Sequence, residues 1–386
     1  FLGVPPVSAS KLQCSKSVRE RICDISEETF WKSLRPRKKR PGGEHLDRAI
    51  ELGRAGRKSR AWRALAAYHR EALGEEWDRL REPILAKPRP GADALADLYR
   101  HRIRVWHNLV VDFGDEIDWA LQRQGRSLPG FHYLSWLTPA IDEFIQTGDA
   151  RAREFVTRTV VSYLRGKNST PGVGQLTVRY EPCPVYGKLG ARAKTRVLMP
   201  AYLALIRDEE AEPKAFGALM KLFLGFARAL RVQLRHDSRS EDPPTSNASI
   251  VAAATLFRLA RLFPEFRESD RWVERACERF EFFLDNAFFS DGGYGERVWG
   301  YGLMALEDLV EAFKIGERCG GLGELEGKMR QRLRRSFRWY ARTLGPDEIA
   351  PAFGDGSTAP SPHRRALDLA QQVFPEGTDR RLGVDP

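Results

Sequence analysis

A chain of 386 residues that is 42% hydrophobic and 30% charged has ample material for a core, and those fractions argue against wholesale disorder. No run approaches the roughly 20 consecutive apolar residues that a spanning helix needs. The net charge of +11 is local: residues 30 to 104 hold 20 Lys/Arg against 10 Asp/Glu, residues 1 to 29 balance at four each, and residues 105 to 386 nearly balance at 39 against 38.

The chain opens on Phe1 with no charged-then-apolar secretion segment, which reads as a processed end or a truncation. The basic excess peaks at Arg35-Pro36-Arg37-Lys38-Lys39-Arg40. Such a run reads first as solvated surface and second as a contact for nucleic acid or a polyanionic glycan. Pro83, Pro88 and Pro90 mark Pro83 to Gly91 as a linker between a basic helical region and the rest.

Beyond it, apolar residues recur at helical spacing. One stripe is Leu134, Leu137, Ile141, Phe144 and Ile145, and the next is Val156, Val160, Tyr163 and Leu164. Between them, Thr147-Gly148-Asp149 reads as a helix stop followed by a cap. Only Leu176, Val178 and Tyr180 alternate as a strand would, too little for a sheet. Helical stripes return at Phe216 to Leu230, Ile250 to Ala260, Trp272 to Leu284, Leu303 to Phe313 and Met329 to Leu344, with a last short helix at Ala366 to Val373. Short Gly/Pro/Asp connectors between such helices suit antiparallel hairpins in a bundle, a solenoid or an α/α toroid.

The five cysteines, Cys14, Cys23, Cys183, Cys277 and Cys319, include no C-x-x-C pair and no histidine at ligand spacing. They read as neither a zinc site nor a disulfide framework, and Cys277 reads as a small core residue.

Two segments place polar residues and glycines where a plain core helix has no use for them. Thr245-Ser246-Asn247-Ala248-Ser249-Ile250 opens an apolar helix, which by itself needs only Ser246 or Asn247 as a cap. Phe289-Ser290-Asp291-Gly292-Gly293-Tyr294-Gly295-Glu296-Arg297-Val298-Trp299-Gly300-Tyr301 by itself is a connector with Asp-Gly turn chemistry. In order, the two resemble the heparinase II/III family, in which an Asn at a helix start precedes DGG-x-x-E-x-x-x-x-Y. Phe263-Pro264-Glu265-Phe266, Trp272, Gly114 to Trp119, Thr147 to Asp149 and Pro351-Ala352-Phe353-Gly354-Asp355 also follow the family's order, so the resemblance covers roughly residues 105 to 356.

That resemblance implies an all-α fold, an incomplete (α/α) toroid of antiparallel hairpins, with the family's C-terminal β-sandwich lying outside this chain. It divides the chain into a basic helical extension at residues 1–104, a toroid at 105–356 and a tail at 357–386. It implies a polysaccharide lyase that breaks uronic-acid-containing glycans by β-elimination, the substrate being a glycosaminoglycan, alginate or a bacterial exopolysaccharide, with no cofactor and a periplasmic or secreted location. Asn247 takes the role of neutralising the uronate carboxylate and Tyr301 that of the acid, 54 residues further on. Tyr294 is a second choice for the acid.

Trp119, Trp136 and Trp299 are candidates for stacking on sugar rings, Arg192 and Arg196 for binding sulfate or carboxylate, and Glu296 and Arg297 for lining the site. Ala248 stands where many members carry His or Trp. The family's base is a sandwich histidine, which leaves His236 and His363 as in-chain alternatives. Competing readings are a non-catalytic glycan-binding toroid, a toroidal glycoside hydrolase using Asp291 and Glu296, and a nucleic-acid binder using Arg35 to Arg40.

Overall fold

The periodic stripes become helices. A computed structural model describes residues 22, 24–37, 39–119, 121–123, 126–127, 130–166, 187–239, 245–343 and 362–374. The Leu176 to Tyr180 segment and the Pro351 to Asp355 turn lie outside the described residues. In chain order the helices are α1 (Glu27–Lys32), α2 (Gly43–Arg54), α3 (Lys58–Ala72), α4 (Gly74–Leu85), α5 (Ala92–Tyr99), α6 (Thr138–Thr147) and α7 (Ala150–Gly166), followed by α8 (Lys188–Leu205), α9 (Pro213–Asp237), α10 (Asn247–Leu262), α11 (Ser269–Asn286), α12 (Trp299–Cys319), α13 (Leu325–Arg342) and α14 (Pro362–Val373). Strand structure among the described residues is confined to two small antiparallel hairpins, Arg102–Arg104 with Val110–Asp112 and Gln122–Arg123 with Arg126–Ser127.

Local chemistry sets the ends. Gly148 ends α6 at φ 72°, a left-handed conformation that glycine adopts without strain, and the Asp149 carboxylate accepts the Ala152 N–H at 2.7 Å at the start of α7. Pro83 is not in a linker: it lies inside α4, in its last turn, where it forgoes the one i→i−4 bond its N–H would have made. The short connector that follows is tied down, since the Gln146 amide donates to the Ile84 and Lys87 carbonyls and Lys87 pairs with Asp142 at 3.0 Å.

One continuous core runs from Phe30 through Trp62, Leu219 and Phe257 to Phe337. Each buried Leu, Phe or Met side chain in it contributes about 1.5–3 kcal/mol by leaving water. The N-terminal segment is part of that core: Phe30 packs on Trp62 at 4.7 Å and edge-on to Phe266 at 6.0 Å.

The basic run is neither solvated surface nor an open polyanion contact at the three arginines the structure describes. The Arg35 backbone N–H donates to the Glu265 carbonyl, Arg37 donates twice to Pro264 and Arg40 reaches the Leu262 carbonyl. These acceptors lie at the C-terminal end of α10, where carbonyls have no helical partner and the dipole favours cations. Below them a buried cluster joins three distant segments: Glu265 bonds His69 at 2.6 Å and Tyr68 at 3.3 Å, and the other nitrogen of His69 meets the Tyr202 hydroxyl. Burial raises the Glu265 carboxyl, but His69 and Arg40 outweigh it and hold the group below its ordinary value.

Candidate functional site

Three long helices begin at one rim. Lys188 in the first turn of α8 donates to Asp237 at the end of α9 (2.6 Å) and to Ser249 in the first turn of α10 (3.0 Å). Ser249 in turn donates to Asp237 at 3.0 Å, which closes the triangle. Tyr294, just ahead of α12, donates its phenol proton to the Thr245 carbonyl at 3.0 Å, two residues before Asn247. The N-termini of α8, α10 and α12 therefore share one end of the molecule, and in none of the three does the N-cap residue bond the helix through its own side chain. Exposed N–H groups and aligned dipoles at such ends favour a bound anion.

Asn247 is the first residue of α10 and is largely buried; Ser246 takes the N-cap backbone conformation without its side chain bonding. The Glu296 carboxyl, 49 residues further on, lies near enough to the Asn247 backbone N–H to feel it, with one carboxyl oxygen buried and without a hydrogen-bond partner. Burial pushes the Glu296 carboxyl above its ordinary value, and the Asn247 N–H and the neighbouring Tyr294 phenol draw it part of the way back.

The Asp-Gly-Gly turn carries this arrangement. Asp291 accepts the Gly293 N–H at 2.9 Å, and the Phe289 N–H donates to the Gly293 carbonyl at 2.8 Å. Gly292 sits at φ 101°, where a Cβ would lie 2.4 Å from the Arg335 carbonyl of α13, so no side chain fits. With Asp291 spent on its own turn, the paired-carboxylate reading with Glu296 loses one member.

Tyr301 lies in the first turn of α12 and is 36% exposed, between the buried Trp299 and Gly302. Tyr294 is the opposite. It is buried, its proton is engaged by the Thr245 carbonyl, and burial together with the adjacent Glu296 carboxyl pushes its phenol far above the ordinary tyrosine range. That makes it a poor proton donor to a departing sugar oxygen.

The other expected residues fare differently. Trp119 is buried with its indole N–H on Ser162 at 2.9 Å, and Trp136 is buried against Phe131. Trp299 packs edge-on to Tyr340 at 4.6 Å. None of the three presents a face for a sugar; each serves the core. Trp119 borders a groove of about 1440 Å³ beside α7, but Asn247, Tyr294 and Tyr301 are not among its lining residues.

Arg192 and Arg196 are not open anion sites either. Arg192 bonds Asp308 at 2.6 Å and Glu307 at 3.2 Å, while Arg196 spans Glu307, Asp308 and Glu311 at 2.9 to 3.3 Å. The carboxylates of α12 neutralise both. Arg297 is exposed at φ 55° and leans over the Phe289 ring. His236 occupies the last turn of α9, next to Asp237, and is partly exposed; His363 begins α14 with its side chain outside the described residues. The Lys188–Asp237–Ser249 triangle had one sequence signal, Ser249 within the polar step, but its partners lie 61 and 12 residues away.

Comparison with known proteins follows the same lines. Residues 220–381 match the family model described as Heparinase II/III N-terminus. No curated protein sequence matches the chain. Among solved structures, heparan sulfate lyase HepC from Pedobacter heparinus is similar with a TM-score of 0.68 at 17% identity, over 93% of this chain and 55% of that one. A heparinase III crystal structure is similar with a TM-score of 0.67 at 16% identity, over 92% and 54% respectively. The chain thus spans about half the length of these structures, 55% in the case of HepC, and shares their helical fold. Residues 220–381, which hold Asn247, Glu296 and Tyr301, are thus similar to the N-terminal part of heparinase II/III proteins, set within a largely helical toroid.

Proposed function

We propose that this chain is the helical part of a polysaccharide lyase that cleaves a uronic-acid-containing glycan of the glycosaminoglycan type by β-elimination. The observation that carries the reading is the rim itself: Asn247 and Tyr301 lie in the first turns of two helices that the Tyr294 phenol joins through the Thr245 carbonyl, beside the start of α8, whose N-cap makes no side-chain bond.

In β-elimination the proton on C5 of the uronate leaves next to a carboxylate, which must absorb the developing negative charge. The Asn247 side-chain amide can donate to that carboxylate without being deprotonated itself. Tyr301, an exposed residue, can pass its phenol proton to the departing O4 as the C4–O4 bond breaks. The electron pair of the C5–H bond then becomes the new C4–C5 double bond, and the base keeps the C5 proton. By family resemblance the base is a histidine of a β-sandwich; within this chain His236, at the same rim as Asp237, is the alternative. Alginate or a bacterial exopolysaccharide as substrate, and a periplasmic or secreted location, are the further parts of this reading.

The test is direct. Purified protein is incubated with heparan sulfate, hyaluronan, alginate and polygalacturonate while ultraviolet absorbance from the conjugated product is followed. Growth of that signal supports lyase action; binding without it supports a non-catalytic glycan-binding toroid, the second reading, favoured by Ala248 at a position the family often gives to His or Trp.

A further inference from the structure

We propose that Tyr294 is a positioning residue, a latch that fixes the separation of the Asn247 amide from the Tyr301 phenol by bonding the backbone ahead of α10 while packing on the first turn of α12. The inference rests on the lyase reading of Asn247 and Tyr301 and adds a role that neither of them has.

Three contacts support it. On one side the Tyr294 phenol donates to the Thr245 carbonyl at 3.0 Å, within the segment that leads into Asn247. On the other, a Cβ built on Gly302, the residue after Tyr301, would lie 2.9 Å from the Tyr294 Cβ and 1.8 Å from the Tyr340 hydroxyl. Only glycine lets α12 approach this closely. The third contact fixes the Tyr294 backbone, which pairs with Phe288 in an isolated bridge while the two rings meet at a tilt with centroids 5.4 Å apart. The ring therefore has no freedom to follow one helix without the other. On α10 itself, Ser249 is held from the far side by Lys188 and Asp237, so the first turn is gripped from two directions.

Such an arrangement matters because β-elimination needs the carboxylate held while the acid meets O4, and a displacement of about 1 Å between such groups can cost on the order of a hundredfold in rate. A latch acting through geometry affects kcat more than KM.

The test removes one oxygen. Tyr294→Phe, Asn247→Ala, the double variant and Tyr301→Phe are compared on the uronate polymer that the wild type cleaves. Tyr294→Phe is expected to lower kcat about tenfold with KM within about twofold, as loss of one positioning hydrogen bond would. In the Asn247→Ala background the same change is expected to cost less than about twofold, because the two act through one another. Additive losses overturn the proposal, as does a Tyr294→Phe protein that is inactive while Tyr301→Phe works, since Tyr294 would then be the acid.

A second measurement needs no activity. Amide hydrogen exchange of Tyr294→Phe is expected to quicken at Asn247, Ser249, Ile250 and Gly302, with the middle of α11 unchanged. Unaltered exchange at all four overturns the latch. Should the wild type eliminate no polymer at all, the lyase reading fails, and exchange at these four amides still decides whether Tyr294 holds the two helices together.

Discussion

Glu265→Gln puts a number on how firmly the N-terminal segment is built into the fold. The carboxylate is fully buried and bonds His69 at 2.6 Å and Tyr68 at 3.3 Å, with Arg40 at 3.7 Å. Glutamine keeps the shape but removes the charge and turns one acceptor into a donor. Removing one partner of a buried, hydrogen-bonded ion pair costs about 3–5 kcal/mol, and an isosteric change falls near the lower end, about 3 kcal/mol. For a chain of this size that corresponds to a drop of roughly 4 °C in Tm by circular dichroism near neutral pH. His69→Ala in the same background is expected to add less than it costs alone, because the two side chains share one contact. The Glu265 carboxyl is held below its ordinary value, so its contribution is present above the unfolded carboxylate range and fades as pH falls through the folded one. The gap between wild type and variant therefore narrows in acid. A Tm change under about 1 °C at neutral pH would refute the reasoning.

Three further outcomes are expected. Replacing Arg35, Arg37 and Arg40 together by alanine uncaps the carbonyls at the end of α10; it should lower Tm, at about 1 kcal/mol per lost bond, and leave any weak, salt-sensitive nucleic-acid retardation unchanged. Retained Tm with lost retardation would reverse that assignment. His132 is buried, neither ring nitrogen has a hydrogen-bond partner, and burial and then Lys194 pull it down to about 4. A neutral histidine of this kind stabilises fully above the unfolded value, near 6.5. That contribution, up to about 3 kcal/mol, is lost as pH falls from there toward 4, and denaturant titrations of His132→Asn should show a shallower acid slope. Gly302→Ala places a methyl group 1.8 Å from the Tyr340 hydroxyl, so it should cost about 2 kcal/mol or more in urea unfolding; a neutral result would mean that α12 approaches less closely than described.

The helices were legible because their stripes are long and their ends are marked by residues with one dominant use, such as Gly148 and Asp149. The order Asn247, Asp-Gly-Gly, Glu296, Tyr301 was legible for a similar reason: Gly292 occupies a backbone position no other residue can take, and that constraint leaves a local trace. What sequence did not reveal were partnerships across the chain. Arg192 and Arg196 resemble anion ligands until Glu307 and Asp308, more than 110 residues away, are placed against them. Arg37 resembles surface until Pro264 is placed beside it, 227 residues on. The tryptophans failed differently, since helical spacing shows that Trp299 has a face but not whether that face meets a core or a groove. Tyr294, weighed only as an acid, has a structural position that no spacing encodes, because its meaning depends on Thr245 and Gly302 at once.

The decisive measurement is whether one uronate ligand touches both ends of the rim. Protein labelled at asparagine side-chain amides and tyrosine rings is titrated with an unreactive uronic-acid oligosaccharide and followed by NMR. Joint, saturable shifts of Asn247 and Tyr301 with a single affinity are predicted. Movement of one signal without the other, or of neither while the sugar binds elsewhere, would contradict a shared site.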